Sequence, residues 1–340
     1  MNPIVTVLVT ASGRRQWLRT AVESVLVEGK IPRRSEVLVV KDFSDPDLDH
    51  WLDAAGVSIF DCKGTVGDML RLGLEKCTGE IVCFLDDDDL FLPQKLQEVT
   101  RVFSARPSLV FYHNGYETID ESGSTVRCRA YRPVRSSLEL ETGSLKLSKL
   151  VSLKYSGHLH NLSSISVRRE ALTPFLGTIG AIRGTTDCAM FLLAASTNGL
   201  LRFDSRVLTL YRVGQHSRTR QLLRHQGGAE VDWTYRADGL QKITFTLDRL
   251  QTDIQREPLR RFAELLSSSI RLKLYLVSSR RFPSVLRPSD VRNTLLLLSL
   301  HPSAEVVIDM GLSFLARLYK DTATNLFARL LTIYLGVQSQ

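Results

Sequence analysis

"EIVCFLDDDDLFLPQKL", residues 80–96, sets four aspartates directly behind an apolar run and just ahead of a Leu-Pro step. The run "EIVCFL" reads as a strand buried on both faces, and "PQKLQEVTRVFSA" (93–105) as a helix with proline in its first turn. Crowded carboxylates raise one another's pKa and stay ionised most easily when a divalent cation neutralises them. Mg2+ and Mn2+ bind through one or two carboxylates and commonly take further oxygens from substrate phosphates. Two readings are open for the stretch: a metal–diphosphate site or a solvated acidic loop.

Upstream, the same alternation repeats. "IVTVLVT" (4–10) is β-branched and apolar throughout, and Trp17, Leu18, Ala21, Val22, Val25 and Leu26 then recur at helical spacing. "EVLVV" (36–40) and "VSIF" (57–60) are strands; "DPDLDHWLDAAG" (45–56) and "VGDMLRLGLEKC" (66–77) are helices. Strands alternating with helices predict an α/β fold of βαβ units around a parallel sheet. In such sheets ligands bind beyond the carboxyl ends of the strands. "TASGR", "KDFSD" and "DDDD" all fall at that edge.

From about residue 106 the pattern is mixed. "SLVFYHNGYETI" and "TVRCRAY" read as strands joined by "DESGS", "GTTDCAMFLLAAS" (184–196) as a helix, and "LLRF" and "RVLTLYRV" as two further strands. After about 225 no convincing strand follows, only helices over 229–250, 257–278, 288–300, 303–318 and 321–336. The expected division is a domain over 1–225 and a helical region over 226–340.

Composition narrows the class. The 340 residues are 44% hydrophobic and 24% charged, as in globular proteins. Five scattered cysteines form no CxxC or His/Cys cluster, which suits a reducing compartment without structural zinc. Arginine follows the first apolar stretch too soon for a signal peptide, and no window has the ~18 uncharged apolar residues of a spanning helix. The expected location is cytoplasmic. Net charge is +8, and residues 241–340 hold 14 Lys+Arg against 8 Asp+Glu, so +6 of it lies there. Few aromatics interleave with these charges, and nucleic acid is not an expected partner. Leu-rich faces with Arg260-Arg261 and Arg280-Arg281 suit packing on the catalytic domain, a homodimer interface, or the inner face of the cell membrane as a peripheral contact.

Spacing excludes two other acidic motifs. A prenyl-diphosphate enzyme wants Asp-Asp-x-x-Asp on a helix, and a haloacid-type phosphatase wants Asp-x-Asp-x-Thr. In both, the position four after Asp86 is Leu90.

"FLDDDDLFLPQKL" does resemble the metal motif of family 2 glycosyltransferases of GT-A fold: a strand ending in Phe-Leu-Asp-x-Asp-Asp, then Pro and a helix with Lys-Leu. The resemblance covers roughly residues 3–218. It implies a Rossmann-like, mainly parallel sheet with flanking helices, a nucleotide-diphosphate sugar donor, a glycan or lipid-linked acceptor, Mn2+ or Mg2+ as cofactor, and transfer with inversion. Asp88 is implied as the main metal ligand, with Asp86 towards ribose or metal and Asp89 supporting. Asp87 stands at the variable position, beside the substrate and expendable for the metal.

Other positions carry over one at a time. "VTASGR" implies donor contacts from Thr10, Ala11, Ser12 and Arg14, without the family's aromatic. "VVKDFSD" has Lys41 where the family has a first acid; Asp42 is the implied nucleobase ligand, and Phe43 offers stacking. "KGTVGDMLRLGLEKCTGEIV" keeps the family's glycines, and Asp68 or Arg71 is implied to face the nucleotide. The family's base is an acidic pair at a helix start; here only Asp187 is present, after Thr186, and a helix cap is its alternative role. "YRVGQHSRTR" implies His216 as a further metal ligand, one offset from the usual place, and Arg218 and Arg220 over the diphosphate. His113, Asn114, His158, His160 and Asn161 fall in the family's acceptor region. The rival in another class is a non-catalytic nucleotide-sugar or glycan-binding protein of the same fold.

Overall fold

The computed structural model describes residues 5–13, 15–26, 35–127, 134, 136–213, 223–225, 229–231, 233–277 and 287–300. Strand β1 (Val5–Ala11) is buried at every position, as its unbroken β-branched run requires. It lies between β2 (Ser35–Lys41) and β4 (Ile81–Asp86), with β3 (Ser58–Asp61) outside β2, and all four run parallel. The register places Ala11 beside Lys41 and Thr10 beside Asp86, so the three polar segments leave the sheet at one edge.

The crossover helices follow the sequence closely. Helix α1 (Arg15–Val25) buries Leu18, Ala21, Val22 and Val25. Helix α2 (Pro46–Ala54) starts at Pro46, where Asp45 caps the Leu48 amide. Helix α3 (Val66–Lys76) opens with a reciprocal capping box between Thr65 and Asp68. Gly67 of α3 is obligatory: a Cβ there would sit 2.4 and 2.5 Å from the carbonyl oxygens of Ile179 and Ile182.

The sheet continues with shorter pieces: β5 (Leu90–Phe91), then helix α4 (Lys95–Ala105), β6 (Leu109–Ile119), β7 (Leu138–Glu141), α5 (Leu147–Tyr155), β8 (Ile165–Arg168), α6 (Leu176–Gly180), α7 (Thr186–Ala195) and β9 (Leu200–Arg212). The strand order is β3-β2-β1-β4-β8-β6-β9-β5, with β7 on β9, and β8 begins the antiparallel part. Residues 188–195 of α7 are all buried, so its apolar character runs all round.

Two expectations change here, and three short strands are added. "LLRF" and "RVLTLYRV" are one 13-residue strand, β9, paired with β7 through Leu200–Phe203 and with β5 through Thr209 and Leu210; Asp204 between them is buried against Arg202. "TVRCRAY" contributes only a bridge from Thr125 to Ile119 among the described residues. Strands β5, β7 and β8 are two to four residues long, too short to show a period.

The chain divides into two compact units. The first takes Met1–Glu117, Pro133–Leu145 and Gly157–Arg212; the second takes Thr118–Arg132, Lys146–Ser156 and Val213–Gln340. In the second, α8 (Trp233–Asp253), α9 (Glu257–Val277) and α10 (Pro288–Leu300) pack in sequence, and α5 packs on α9. Arg271 joins them through both oxygens of Asp248, at 2.6 and 2.8 Å, and through Asp290 at 3.0 Å. A small antiparallel pair, β10 (Leu223–His225) and β11 (Ala229–Val231), precedes the helices and corrects the expectation of no strand beyond 225. The expected helices over 303–318 and 321–336, and Arg280-Arg281, lie outside the described residues. Among the described residues no helix is long and apolar enough to cross a membrane.

Candidate active site

The loops after β1, β2 and β4 meet through hydrogen bonds. The Ser12 hydroxyl donates to Asp42 at 2.7 Å, the Gly13 amide donates to the other oxygen of Asp42 at 3.0 Å, and the Ser12 amide donates to Asp87 at 3.2 Å. Thr10 and Ala11 are buried at the end of β1, where the Ala11 carbonyl accepts from the Asp42 amide at 3.2 Å. Ala11 belongs to the hydrophobic core, while Ser12 is exposed and Asp42 half-buried at the edge. Arg14 lies outside the described residues.

Lys41 and Phe43 are explained by packing. The Lys41 ammonium is buried and donates to the Phe43 carbonyl at 2.7 Å and to Asp49 at 3.1 Å and Asp61 at 3.3 Å. The Phe43 ring belongs to the core, with the Arg15 guanidinium 5.2 Å from its centroid. It is therefore no open stacking platform for a base, contrary to the expectation.

The acidic loop is gripped from two sides. On one, the Asp86 amide donates to the Ser163 hydroxyl at 2.9 Å. On the other, Arg212 at the end of β9 donates from its amide to Asp89 at 2.8 Å and from Nε to the Asp88 carbonyl at 2.7 Å. Asp86 and Asp88 are half-buried; Asp87 and Asp89 are buried. Burial, then the charges of Asp88 and Asp86, push the Asp89 carboxyl well above its usual range, and its Oδ2 has no protein partner. Asp87, expected to be the expendable one, is a buried link between the β1 and β4 loops.

Lys95, which the sequence marks only as a motif letter, lies beneath this loop. Fully buried, it donates to the Ser163 carbonyl and, at 2.9 Å, to the Thr209 hydroxyl, with the Phe91 ring 3.8 Å from Nζ. Burial lowers its pKa to about 7.

Asp187 stands in the first turn of α7. Its Oδ1 accepts from the Cys188 amide at 2.7 Å and the Thr185 hydroxyl at 3.4 Å, and its Oδ2 accepts from the Asn161 amide at 3.3 Å. The carboxylate is half-buried. The turn that supplies Asn161 also supplies Ser163, so one short segment touches both Asp187 and the acidic loop.

Asp68 is engaged in its capping box, where the Thr65 amide and hydroxyl donate to one carboxylate oxygen at 2.9 and 2.8 Å and lower its pKa. Arg183 donates to the Thr65 hydroxyl at 2.9 Å beside it. Arg71 pairs with Glu75 at 3.5 Å on the exposed face of α3. Of the expected acceptor contacts, His113, Asn114 and Asn161 are buried in the fold. His113 meets the His160 carbonyl at 2.7 Å, Asn114 donates to Thr209 at 2.9 Å, and Asn161 accepts from the Ser163 amide at 2.9 Å. His160, half-buried, lies edge-on to Tyr211 with centroids 5.4 Å apart, and His158 meets Phe203 in the same way at 5.4 Å. His216, Arg218 and Arg220 lie outside the described residues. Among the described residues no group of three or more His, Cys, Asp or Glu side chains forms a ready metal cage.

The family model of glycosyl transferase family 2 matches residues 6–172. An uncharacterized glycosyltransferase of Rickettsia bellii is 32% identical over 217 residues, covering 62% of this chain and 29% of the relative. One from Rickettsia felis is 28% identical over 127 residues, covering 36% of this chain and 21% of the relative. The chain thus spans under a third of the length of these relatives. Residues 1–349 of S. aureus TarS match in structure with a TM-score of 0.51 at 13% identity, covering 97% of this chain and 89% of the other. The same protein in complex with UDP-GlcNAc gives 0.52 at 14% identity, covering 97% and 89%. At such identity the likeness is one of fold. The match over residues 6–172, which holds the acidic loop, the Ser12–Asp42 contact and the Asn161–Ser163 turn, together with a parallel half-sheet continued by antiparallel strands, makes this stretch of the chain a glycosyl transferase family 2 domain with the GT-A fold.

Proposed function

We propose that this chain transfers a sugar from a nucleoside-diphosphate sugar to a hydroxyl of a glycan or lipid-linked glycan, with inversion at the anomeric carbon. The observation that carries the reading is the meeting of three strand-end loops at one edge, where Ser12 binds both Asp42 and Asp87 and the half-buried Asp86 and Asp88 follow. TarS has been solved in complex with UDP and with UDP-GlcNAc, which makes uridine-diphosphate sugars the first donors to test.

The donor set fits Mg2+ or Mn2+: clustered carboxylate oxygens, with the buried Asp89 Oδ2 lacking a protein partner. Asp88 would hold the ion, with Asp86 beside it and His216 as a further ligand. When bound, it neutralises the charge of the departing diphosphate. Ser12 and Asp42 hold the nucleoside, with Arg14 and Asp68 near it, and Arg218 covers the diphosphate. Asp187 takes the proton of the acceptor hydroxyl as that oxygen bonds to the anomeric carbon. The bond from that carbon to the phosphate oxygen breaks on the opposite face, and the nucleoside diphosphate leaves with the electron pair.

The test is turnover of a panel of nucleotide sugars with Mn2+ or Mg2+, in the wild type and in Asp88→Ala and Asp187→Ala. Asp88→Ala is expected to abolish metal-dependent donor binding. Asp187→Ala is expected to keep binding and lower kcat by about 10²–10⁴. Donor binding indifferent to chelator would remove the metal from the reading. Tight binding without turnover of any donor would favour the non-catalytic alternative.

A further inference from the structure

Among the described residues two non-glycine positions have positive φ, Asn161 at 73° and Thr185 at 49°, and both donate hydrogen bonds to Asp187. Asn161, at ψ 107°, lies outside the left-handed helical well, and a β-branched threonine is sterically ill suited to that well. Conformations of this kind persist only where the surroundings over-determine them, and they concentrate at functional sites.

Here the surroundings can be named. The Asn161 side chain accepts from the Ser163 amide at 2.9 Å and donates to the Ser164 hydroxyl at 3.1 Å, closing a turn on itself. The Ser163 hydroxyl accepts from the Asp86 amide at 2.9 Å. The Ser163 carbonyl is held from below by Lys95 and by Thr209, the latter at 3.2 Å. A continuous set of hydrogen bonds therefore runs Asp187–Asn161–Ser163–Asp86, anchored on the buried Lys95 amine nitrogen. If the turn only reversed the chain, glycine at 161 would do so with less strain. The asparagine adds a side-chain lock that fixes the direction of its own amide, and that amide points at Asp187.

We propose that Asn161 is a positioning residue of the transfer reaction, with Thr185 as its counterpart: together they orient the Asp187 carboxylate, and the Asn161–Ser163 turn sets its place relative to the Asp86–Asp89 loop. The proposal rests on the reading of Asp187 as the base. Neither residue touches substrate; each acts through Asp187.

The experiment is a double-mutant cycle on the full chain, with kcat and donor KM measured for Asn161→Gly, Asp187→Asn and the pair. Asn161→Gly removes the lock and the strain together. It is expected to leave the melting temperature unchanged or raised, to leave donor KM within about twofold, and to lower kcat by roughly tenfold or more. In the Asp187→Asn background the same change is expected to have no effect on kcat. Thr185→Gly should behave likewise, while Thr185→Ser, which keeps the hydroxyl, should restore kcat. This second pair keeps the test open should Asn161→Gly fail to fold. A loss of kcat undiminished in the Asp187→Asn background, or a change confined to KM, would overturn the positioning role alone. Wild-type turnover by Asp187→Asn on its own would overturn the base assignment, and the positioning role with it.

Discussion

Nε of Arg212 donates to the backbone carbonyl of Asp88 at 2.7 Å. The contact reaches from the last residue of β9 to the loop after β4 and holds the backbone of Asp88. The guanidinium also lies 5.4 Å from the centre of the Trp17 ring, so its plane is set before any ligand arrives. Arg212→Lys retains charge but loses the fork. Its expected effect is a donor Kd raised by about 3- to 10-fold with metal present, equivalent to about 1 kcal/mol for one hydrogen bond. Calorimetric titration of the donor checks this, and an unchanged Kd would show the grip to be irrelevant to binding.

The four aspartates should separate by their burial. Asp88→Asn is expected to weaken Mn2+-dependent donor binding by more than tenfold while leaving the melting temperature near wild type. Asp87→Ala removes a buried acceptor of the Ser12 amide and is expected to cost about 1–3 kcal/mol of stability, with metal affinity less affected. Metal titration and urea denaturation of both variants give the comparison. The reverse ranking in metal affinity would exchange their roles.

Lys41 occupies the place of an acid in the family's motif, so Lys41→Asp looks like a repair. The structure predicts the opposite. A carboxylate there would be buried beside Asp49 and Asp61, which the ammonium now meets at 3.1 and 3.3 Å. The expected loss is about 1–3 kcal/mol, below that of a fully buried pair because Asp49 is only half-buried and Asp61 is exposed. Wild-type stability of the variant in urea would contradict the account.

His113 gives a pH dependence with a defined sign. Burial lowers its pKa to about 3, and it stays neutral against the His160 carbonyl. The unfolded chain binds a proton near pH ~6.5 and the folded one does not, so stability falls on acidification from about pH 6.5 towards about pH 3. Between about pH 8 and about pH 5 this group removes about 2 kcal/mol. His113→Gln, which retains a donor for the carbonyl, is expected to flatten the profile by that amount; superimposable profiles would exclude His113 as the source.

Much of the first half-sheet was legible in the linear pattern because its causes are local. An unbroken β-branched run such as 5–11 can be satisfied only as a strand covered on both faces, and Asp45-Pro46 and Thr65 with Asp68 start helices by contacts within four residues. The place of the acidic loop was legible too, since it directly follows a buried strand and so leaves the sheet at its carboxyl edge. The short strands β5, β7 and β8 were not, because two to four residues carry no readable period and their pairing comes from distant partners. Nor was the continuity of β9, whose two ends pair with β7 and β5, strands far away along the chain.

The sequence by itself determined the fold family, the order of the parallel strands' elements and the segments that leave those strands at their carboxyl ends. Only the tertiary structure decided what each polar side chain does there. It sent Phe43 into the core and His113 and Asn114 beneath the surface, turned Asp87 into a link to Ser12, and set Asn161 and Thr185 in strained conformations on either side of Asp187. The reason is physical: residue type sets what a group can donate or accept, but burial and partners far along the chain set what it has left to offer a ligand.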